Sequence, residues 1–67
     1  MSVEEALEDP KRFFIPTYNT PTERRYGIVG TTFGGRIIRV VYVIRDGKYR
    51  VITAFGASNS EKRRYRR

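Results

Sequence analysis

Arginine and tyrosine supply most of the side chains in this sequence that could do chemistry. The 67 residues include 14 Lys and Arg against 7 Asp and Glu, and they include no histidine and no cysteine. Disulfides, thiolate metal clusters and a Ser-His-Asp triad are therefore excluded. The arginines and tyrosines of interest are Arg24, Arg25, Arg36, Arg39, Arg45, Arg50, Arg63, Arg64, Tyr26, Tyr49 and Tyr65.

Such a set suits a nucleic acid. A guanidinium group binds phosphate through two hydrogen bonds, and a tyrosine ring stacks on a base. The chemistry it could support is RNA cleavage by in-line attack of the 2′-hydroxyl. Arginines would stabilise the charge developing on the phosphate, and a Lys, Tyr or Glu would move protons. The alternative is a solvated, basic sheet face with no chemistry, and composition alone leaves both interpretations open.

The charge balance favours a polyanionic partner. The formal net charge is +7 and the pI is about 10.4, values typical of proteins that bind RNA or DNA. The longest apolar run, Val40 to Ile44, is far shorter than the roughly 20 residues of a membrane span. The acidic start around Glu4 and Glu5 does not resemble a secretory signal. We therefore expect a cytoplasmic protein with no membrane contact.

The first element that must position these side chains is a short helix. Glu4 to Glu8 are good helix formers, Ser2 and Glu5 have capping-box spacing, and Asp9-Pro10 ends the helix. Residues 10–22 are interpreted as a loop held by its aromatic residues. A strand over residues 11–15 is the alternative.

Three strands follow, over residues 23–29, 36–45 and 49–55. Asp46-Gly47 predicts a type I′ hairpin turn between the last two strands. The central strand has one fully apolar face, which places Tyr42 in the core. Its other face carries Arg39 and Arg45, for which cross-strand pairing is favoured over a role in a site.

Ser58 and Glu61 have capping-box spacing and predict a last helix running to Arg67. Tyr65 would either anchor this helix or stack on a base, and anchoring is favoured. The predicted fold is α+β: a three-stranded antiparallel meander with a short N-terminal helix and a basic C-terminal helix, in one domain over residues 1–67. A core this small is marginal, so we expect another chain to complete it.

The order and spacing of several motifs resemble the BrnT toxin family. The resemblance implies a RelE-like fold and a metal-independent, cofactor-free ribonuclease of a type II toxin-antitoxin system. It also implies a cognate BrnA-like antitoxin as partner. The motifs are Asp9-Pro10, Glu23-Arg24, Gly35-Arg36, Val40-Val41, the run from Arg50 to Ala54, and Ala57-Ser58 followed by Glu61 and Tyr65.

The sequence departs from the family pattern in two places. Members of the family begin with a further strand and helix, so we expect an N-terminally shortened fold whose open sheet edge favours homo-oligomers. Phe55 stands where the family has an arginine. If that arginine contacts phosphate in the relatives, this chain would cleave slowly or not at all.

These arguments give two hypotheses about function. The first is a toxin-like ribonuclease acting on RNA. The second is a non-catalytic nucleic-acid-binding module, or an inactive toxin relative that binds an antitoxin. The predicted catalytic residues are Glu23, Arg24, Arg36 and Arg50, and the predicted RNA-binding residues are Arg45, Lys62, Arg63, Arg64 and Tyr65.

Overall fold

A four-stranded antiparallel sheet with a short helix on each face forms the fold. The computed structural model describes residues 3–17 and 21–66. The predicted α+β class is confirmed, with four strands in place of three, and the strand order is β1-β2-β3-β4. In this part of the chain no helix is long and apolar enough to cross a membrane. The elements are α1 (Val3–Leu7), β1 (Phe13–Ile15), β2 (Tyr26–Thr31), β3 (Ile37–Arg45), β4 (Lys48–Gly56) and α2 (Asn59–Tyr65).

The additional strand is β1, and the prediction of a loop throughout residues 10–22 was wrong there. Phe13 pairs with Val29 and Ile15 with Gly27, so the alternative of a strand in this stretch is confirmed. Pairing lets both side chains pack against a buried cluster on the sheet. Pro16, which has no N–H to donate, follows directly and limits the strand to three residues. The predicted Ser2 cap and residues 18–20 of the predicted loop lie outside the described residues.

The β3–β4 hairpin forms as its turn residues predict. Asp46 and Gly47 have φ values of 52° and 74°, as a type I′ turn requires, and Arg45 pairs with Lys48. The pairing shifts once, because Val41 faces Thr53 while Tyr42 faces Val51. Ile52 is therefore an extra residue in β4, a bulge within the sheet.

Helix α1 packs on one face of the sheet, which we call the α1 face. Ala6 and Leu7 contact a core that includes the fully buried Ile28 and Val40. The approach is close, since a Cβ atom at Gly30 would lie 2.6 Å from the carbonyl oxygen of Ala6. Tyr42 is buried in the same core, which confirms its predicted place.

Helix α2 covers only one end of the opposite face, which we call the α2 face. There Val29, Ile37 and Ala57 form a second buried cluster with Tyr65 packed against it. Toward the β3–β4 turn no helix of residues 3–17 and 21–66 lies over the α2 face, and we call this region the open half. Strand β4 borders the open half, and none of its side chains is buried.

Candidate nucleic-acid interface

Hydrogen bonds cap helix α2 at its start and join it to the rest of the fold at its end. At its start, Ser58 Oγ accepts from the Glu61 N–H at 3.2 Å, and Glu61 Oε1 accepts from the Ser58 N–H at 2.9 Å. This is the predicted capping box. At its end, the Tyr65 hydroxyl donates to the Asp9 carboxylate. The prediction that Tyr65 anchors the helix is thus confirmed.

Asp9 joins three parts of the fold. Its carboxylate also accepts the backbone N–H groups of Thr31 and Lys11, each at 2.9 Å. Partial burial of Asp9 opposes ionisation, but the hydrogen bonds from Tyr65 and these two N–H groups together hold the pKa of Asp9 below its ordinary value. Burial and the nearby Asp9 raise the pKa of the Tyr65 hydroxyl. Around neutral pH Asp9 therefore stays ionised and accepts the hydrogen bond, while Tyr65 stays neutral and donates it.

The predicted catalytic residues do not all come together, because Arg36 lies apart from the others. Arg36 precedes β3, while Arg50 pairs with Val43 near the other end of that strand. Seven residues of extended strand separate these positions, a distance of roughly 23 Å at about 3.3 Å per residue. Arg36 and Arg50 therefore cannot hold one phosphate between them.

Glu23 and Arg24 lie just before β2, on the Arg50 side of this separation. Arg45 Nη2 donates to Glu23 Oε2 at 2.6 Å, so Arg45 makes the cross-strand ion pair that the sequence favours. Arg24 is exposed beside it. Glu23 is consequently engaged with a guanidinium group, not exposed to solvent as an unpaired base.

The basic residues of α2 lie over the covered end of the α2 face. The Arg64 guanidinium is 4.2 Å from the centre of the Phe13 ring, a cation–π contact that helps hold α2 on β1. Lys62 is half-buried, while Arg63 is exposed. Of the five predicted RNA-binding residues, Arg45 alone lies at the sheet end that carries Arg50.

A groove crosses the middle of the α2 face, next to α2. Its volume is about 430 Å³, and its lining residues come from the segment after β1, from the residue before β2, and from β3 and β4. Apolar atoms make up most of the surface, and two guanidinium groups lie within it. The lining residues are Pro16, Thr17, Arg25, Arg39, Val41, Ile52 and Thr53.

One wall of the groove depends on a glycine. Thr17 Oγ1 donates to the Arg25 carbonyl at 2.7 Å, which draws the chain after β1 over β2. A Cβ atom at Gly27 would lie 2.6 Å from Thr17 Cγ2 and 2.7 Å from Ile15 Cγ1. Gly27 therefore allows Ile15 and Thr17 to lie close against the sheet and form the wall.

Arg39 has an unusual environment within the groove. One of its terminal nitrogens, Nη1, lies 3.7 Å from Glu61 Oε2, and its guanidinium group lies 5.8 Å from the centre of the Phe55 ring. Its Nε atom is buried and has no hydrogen-bond partner among the described residues. A buried donor without an acceptor is costly in a folded protein. The Arg39 side chain as a whole is 33% exposed, so its terminal N–H groups, and not Nε, are the donors that a ligand in the groove can reach.

Sequence reasoning did not single out this groove. The sequence favours cross-strand pairing for Arg39, and Arg25 is only one of many arginines in it. The available signal was alternation, which puts residues 25, 39 and 41 on one sheet face. The contributions of Thr17 and Thr53 depend on β1 and on the bulge at Ile52, which the sequence pattern does not predict.

No family model, curated protein or solved structure matches this chain. The relationship to BrnT toxins accordingly stays a prediction from the motifs, and what the site can do is argued below from its own geometry.

Proposed function

We propose that this protein binds RNA on the open half of the α2 face, with the phosphates held by basic side chains. The observation that carries the proposal is the concentration of cations on and beside the half of the α2 face that no helix of the described residues covers. Arg25 and Arg39 lie in the groove. Arg45 and its partner Lys48 share that face toward the hairpin turn, as does Arg50 by its register with Val43.

Electrostatics supports a polyanion as ligand. Over the whole sequence the net charge is +7. Near this surface Glu23 pairs with Arg45, Glu61 pairs with Arg39, and Asp46 lies in the hairpin turn, so the five basic residues named above exceed the acidic ones by two. Phosphate contacts from Arg and Lys supply most of the sequence-independent affinity of nucleic-acid-binding proteins. A chain of phosphates is thus the ligand that this surface favours.

Binding without cleavage is favoured over the toxin-like ribonuclease. The separation of Arg36 from Arg50 prevents these two predicted catalytic arginines from holding one phosphate. Phe55, which replaces the family arginine, packs beside Arg39 instead. Ribonuclease activity and a BrnA-like antitoxin partner stay predictions, and the RNA used to measure binding also tests cleavage.

The test is a titration of fluorescently labelled single-stranded RNA, followed by anisotropy at several KCl concentrations in EDTA. We expect affinity to fall steeply with salt, with each phosphate contact contributing about 0.7 to the slope of log K against log salt. Arg50→Gln should reduce the slope by about 0.7, the contribution of one phosphate contact. Lys11→Gln, which removes the same charge from the exposed turn after α1, is the matched control and should leave the slope unchanged.

Two results would contradict the proposal. One is the absence of salt-dependent binding by the unmodified protein. The other is an equal loss of slope in Arg50→Gln and Lys11→Gln, which would mean that net charge acts without a defined surface. Cleaved RNA ending in a 2′,3′-cyclic phosphate would instead support the ribonuclease hypothesis.

A further inference from the structure

We infer that the groove on the α2 face receives one unstacked nucleobase, and that the protein therefore selects single-stranded over double-stranded nucleic acid. This inference rests on the proposed RNA binding and specifies its substrate class. Phosphate contacts alone would not produce such a preference, because both forms carry a charged backbone.

The dimensions and lining of the groove fit a base. Its volume of about 430 Å³ lies within the range of roughly 300–1,000 Å³ for small-molecule pockets. Val41 and Ile52 give it apolar surface, and Pro16 and Thr17 lie along one side. A base has a flat apolar face that can lie against such a surface once it leaves the stack, whereas bases within a duplex are not available.

Arg39 supplies the polar contact. Its side chain is 33% exposed and carries terminal N–H groups, and every base has ring nitrogens or carbonyl oxygens that accept hydrogen bonds. A base in the groove would accept a hydrogen bond from one of these N–H groups. Since the donor matches acceptors on several bases, we expect binding with little sequence preference.

The position of Glu61 favours a nucleobase over the acidic side chain of a peptide as the occupant of the groove. Its carboxylate lies 3.7 Å from Arg39 Nη1, so a second carboxylate beside Arg39 would meet a like charge. A neutral base would not. The phosphates of the same RNA strand carry the negative charge. They would lie outside the groove, within reach of basic side chains such as Arg45 and Arg50 on the same face of the sheet.

The experiment compares an oligouridine with an abasic sugar-phosphate strand of equal length and with a duplex. In matched salt, we expect the oligouridine to bind about tenfold more tightly than the other two, the effect of one stacked base. A single strand containing 2-aminopurine should also change its fluorescence on binding, since the probe base leaves its neighbours and enters the groove. This second readout requires no variant.

Thr53→Trp tests the location. Thr53 is exposed on the edge strand β4 and lines the groove, so a tryptophan there would occupy the space of the base. Its affinity for oligouridine should fall to that of the abasic strand. Val51→Trp is the matched control, because Val51 is exposed on the same strand but pairs with Tyr42 of the α1 face. Circular dichroism checks that both variants fold.

The outcomes separate the inference from the proposed function. Equal, salt-dependent binding of all three ligands would overturn the base site and leave phosphate binding intact. No binding of any ligand would overturn both. In another outcome, polyglutamate binds the unmodified protein more tightly than it binds the Thr53→Trp variant, while oligouridine binds both equally. That result would identify the groove as a peptide site and overturn the inference. Retained selectivity in Thr53→Trp would also contradict it.

Discussion

At the scale of single residues, the contact between Asp9 and Tyr65 links the two ends of the chain. Asp9 follows α1, Tyr65 ends α2, and the Thr31 N–H that also binds Asp9 belongs to β2. These three elements meet beside the second core cluster, which includes Val29 and has Tyr65 packed against it. A few hydrogen bonds to one carboxylate therefore hold α2 in the position that leaves the groove open.

Asp9→Asn should destabilise the protein by about 1–2 kcal/mol at neutral pH, because hydrogen bonds to a charged acceptor are replaced by weaker ones. The folded-state pKa of Asp9 is lowered, so its contribution is present above the ordinary value near 3.8 and is lost as pH falls through the folded pKa. Urea unfolding between pH 7 and pH 2 should show the gap between the two proteins closing in acid. A difference in unfolding free energy that stays the same down to pH 2 would contradict this account. So would an equal, acid-sensitive loss of stability in Glu8→Gln, which changes the exposed neighbouring residue.

Tyr65→Phe removes only the hydroxyl and should cost about 1 kcal/mol at neutral pH. The pKa of Tyr65 is raised, so the stabilisation by its neutral form is present below the ordinary value near 10 and is lost as pH rises through the folded pKa. Thermal unfolding at pH 7 and in alkaline buffer measures both effects. If Tyr65→Phe is as stable as the parent at pH 7, the hydrogen bond to Asp9 does not anchor α2.

At the scale of elements, local signals predicted what local interactions determine. The Asp46-Gly47 turn and the Ser58-Glu61 capping box each involve residues close in sequence, and each is confirmed. The apolar face predicted for β3 is confirmed at its buried positions, such as Val40 and Tyr42, but Ile44 at its end is 51% exposed. Strand β1 has only three residues and exists because β2 provides a partner. Its side chains show no long alternation, so no sequence pattern could have distinguished it from a pinned loop.

The candidate site was less predictable than the fold. The sequence correctly indicates a basic, arginine-rich sheet, but it does not give the ends of the sheet at which each arginine lies. The sequence gives no reason to separate Arg36, which follows Gly35, from Arg50 within a strand, yet the pairing of β4 with β3 places them near opposite ends of β3. The groove requires β1, Gly27 and the bulge at Ile52 together, which is a tertiary arrangement.

Gly30→Ala tests the packing of α1 on the sheet. The added Cβ would meet the carbonyl oxygen of Ala6 at 2.6 Å, which requires backbone movement, so we expect a loss of about 1–3 kcal/mol. Gly56→Ala is the control, since no atom lies within 4 Å of the Cβ position there. Chemical denaturation compares the two. Equal stability of both variants would mean that α1 does not approach β2 as closely as described.

At the scale of the whole molecule, the outer edge of β4 is the most exposed part of the sheet. All but one of its nine residues are exposed, including Tyr49, Val51, Ile52 and Phe55. Such an edge promotes pairing between copies, while Lys48, Arg50 and the bulge at Ile52 oppose it. We therefore expect association to be weak at low salt and to increase as salt screens the positive charges.

Val51→Lys should reduce this association at high salt and leave thermal stability within about 0.5 kcal/mol of the parent. Sedimentation velocity over a range of protein concentrations measures it. Phe33→Lys introduces the same charge at a position that is 90% exposed in the β2–β3 loop, away from the edge, and should have little effect. An equal reduction in both variants would show that net charge, not the β4 edge, controls association.

The central claim is that the open half of the α2 face binds nucleic acid, and a nuclear magnetic resonance titration of the ¹⁵N-labelled protein with oligouridine tests it most directly. The account predicts that the largest amide shifts occur at groove and neighbouring positions, among them Arg25, Arg39, Val41 and Thr53, with little change at Ala6 and Ile28 on the α1 face. Shifts confined to the basic residues of α2, or centred on the α1 face, would contradict it.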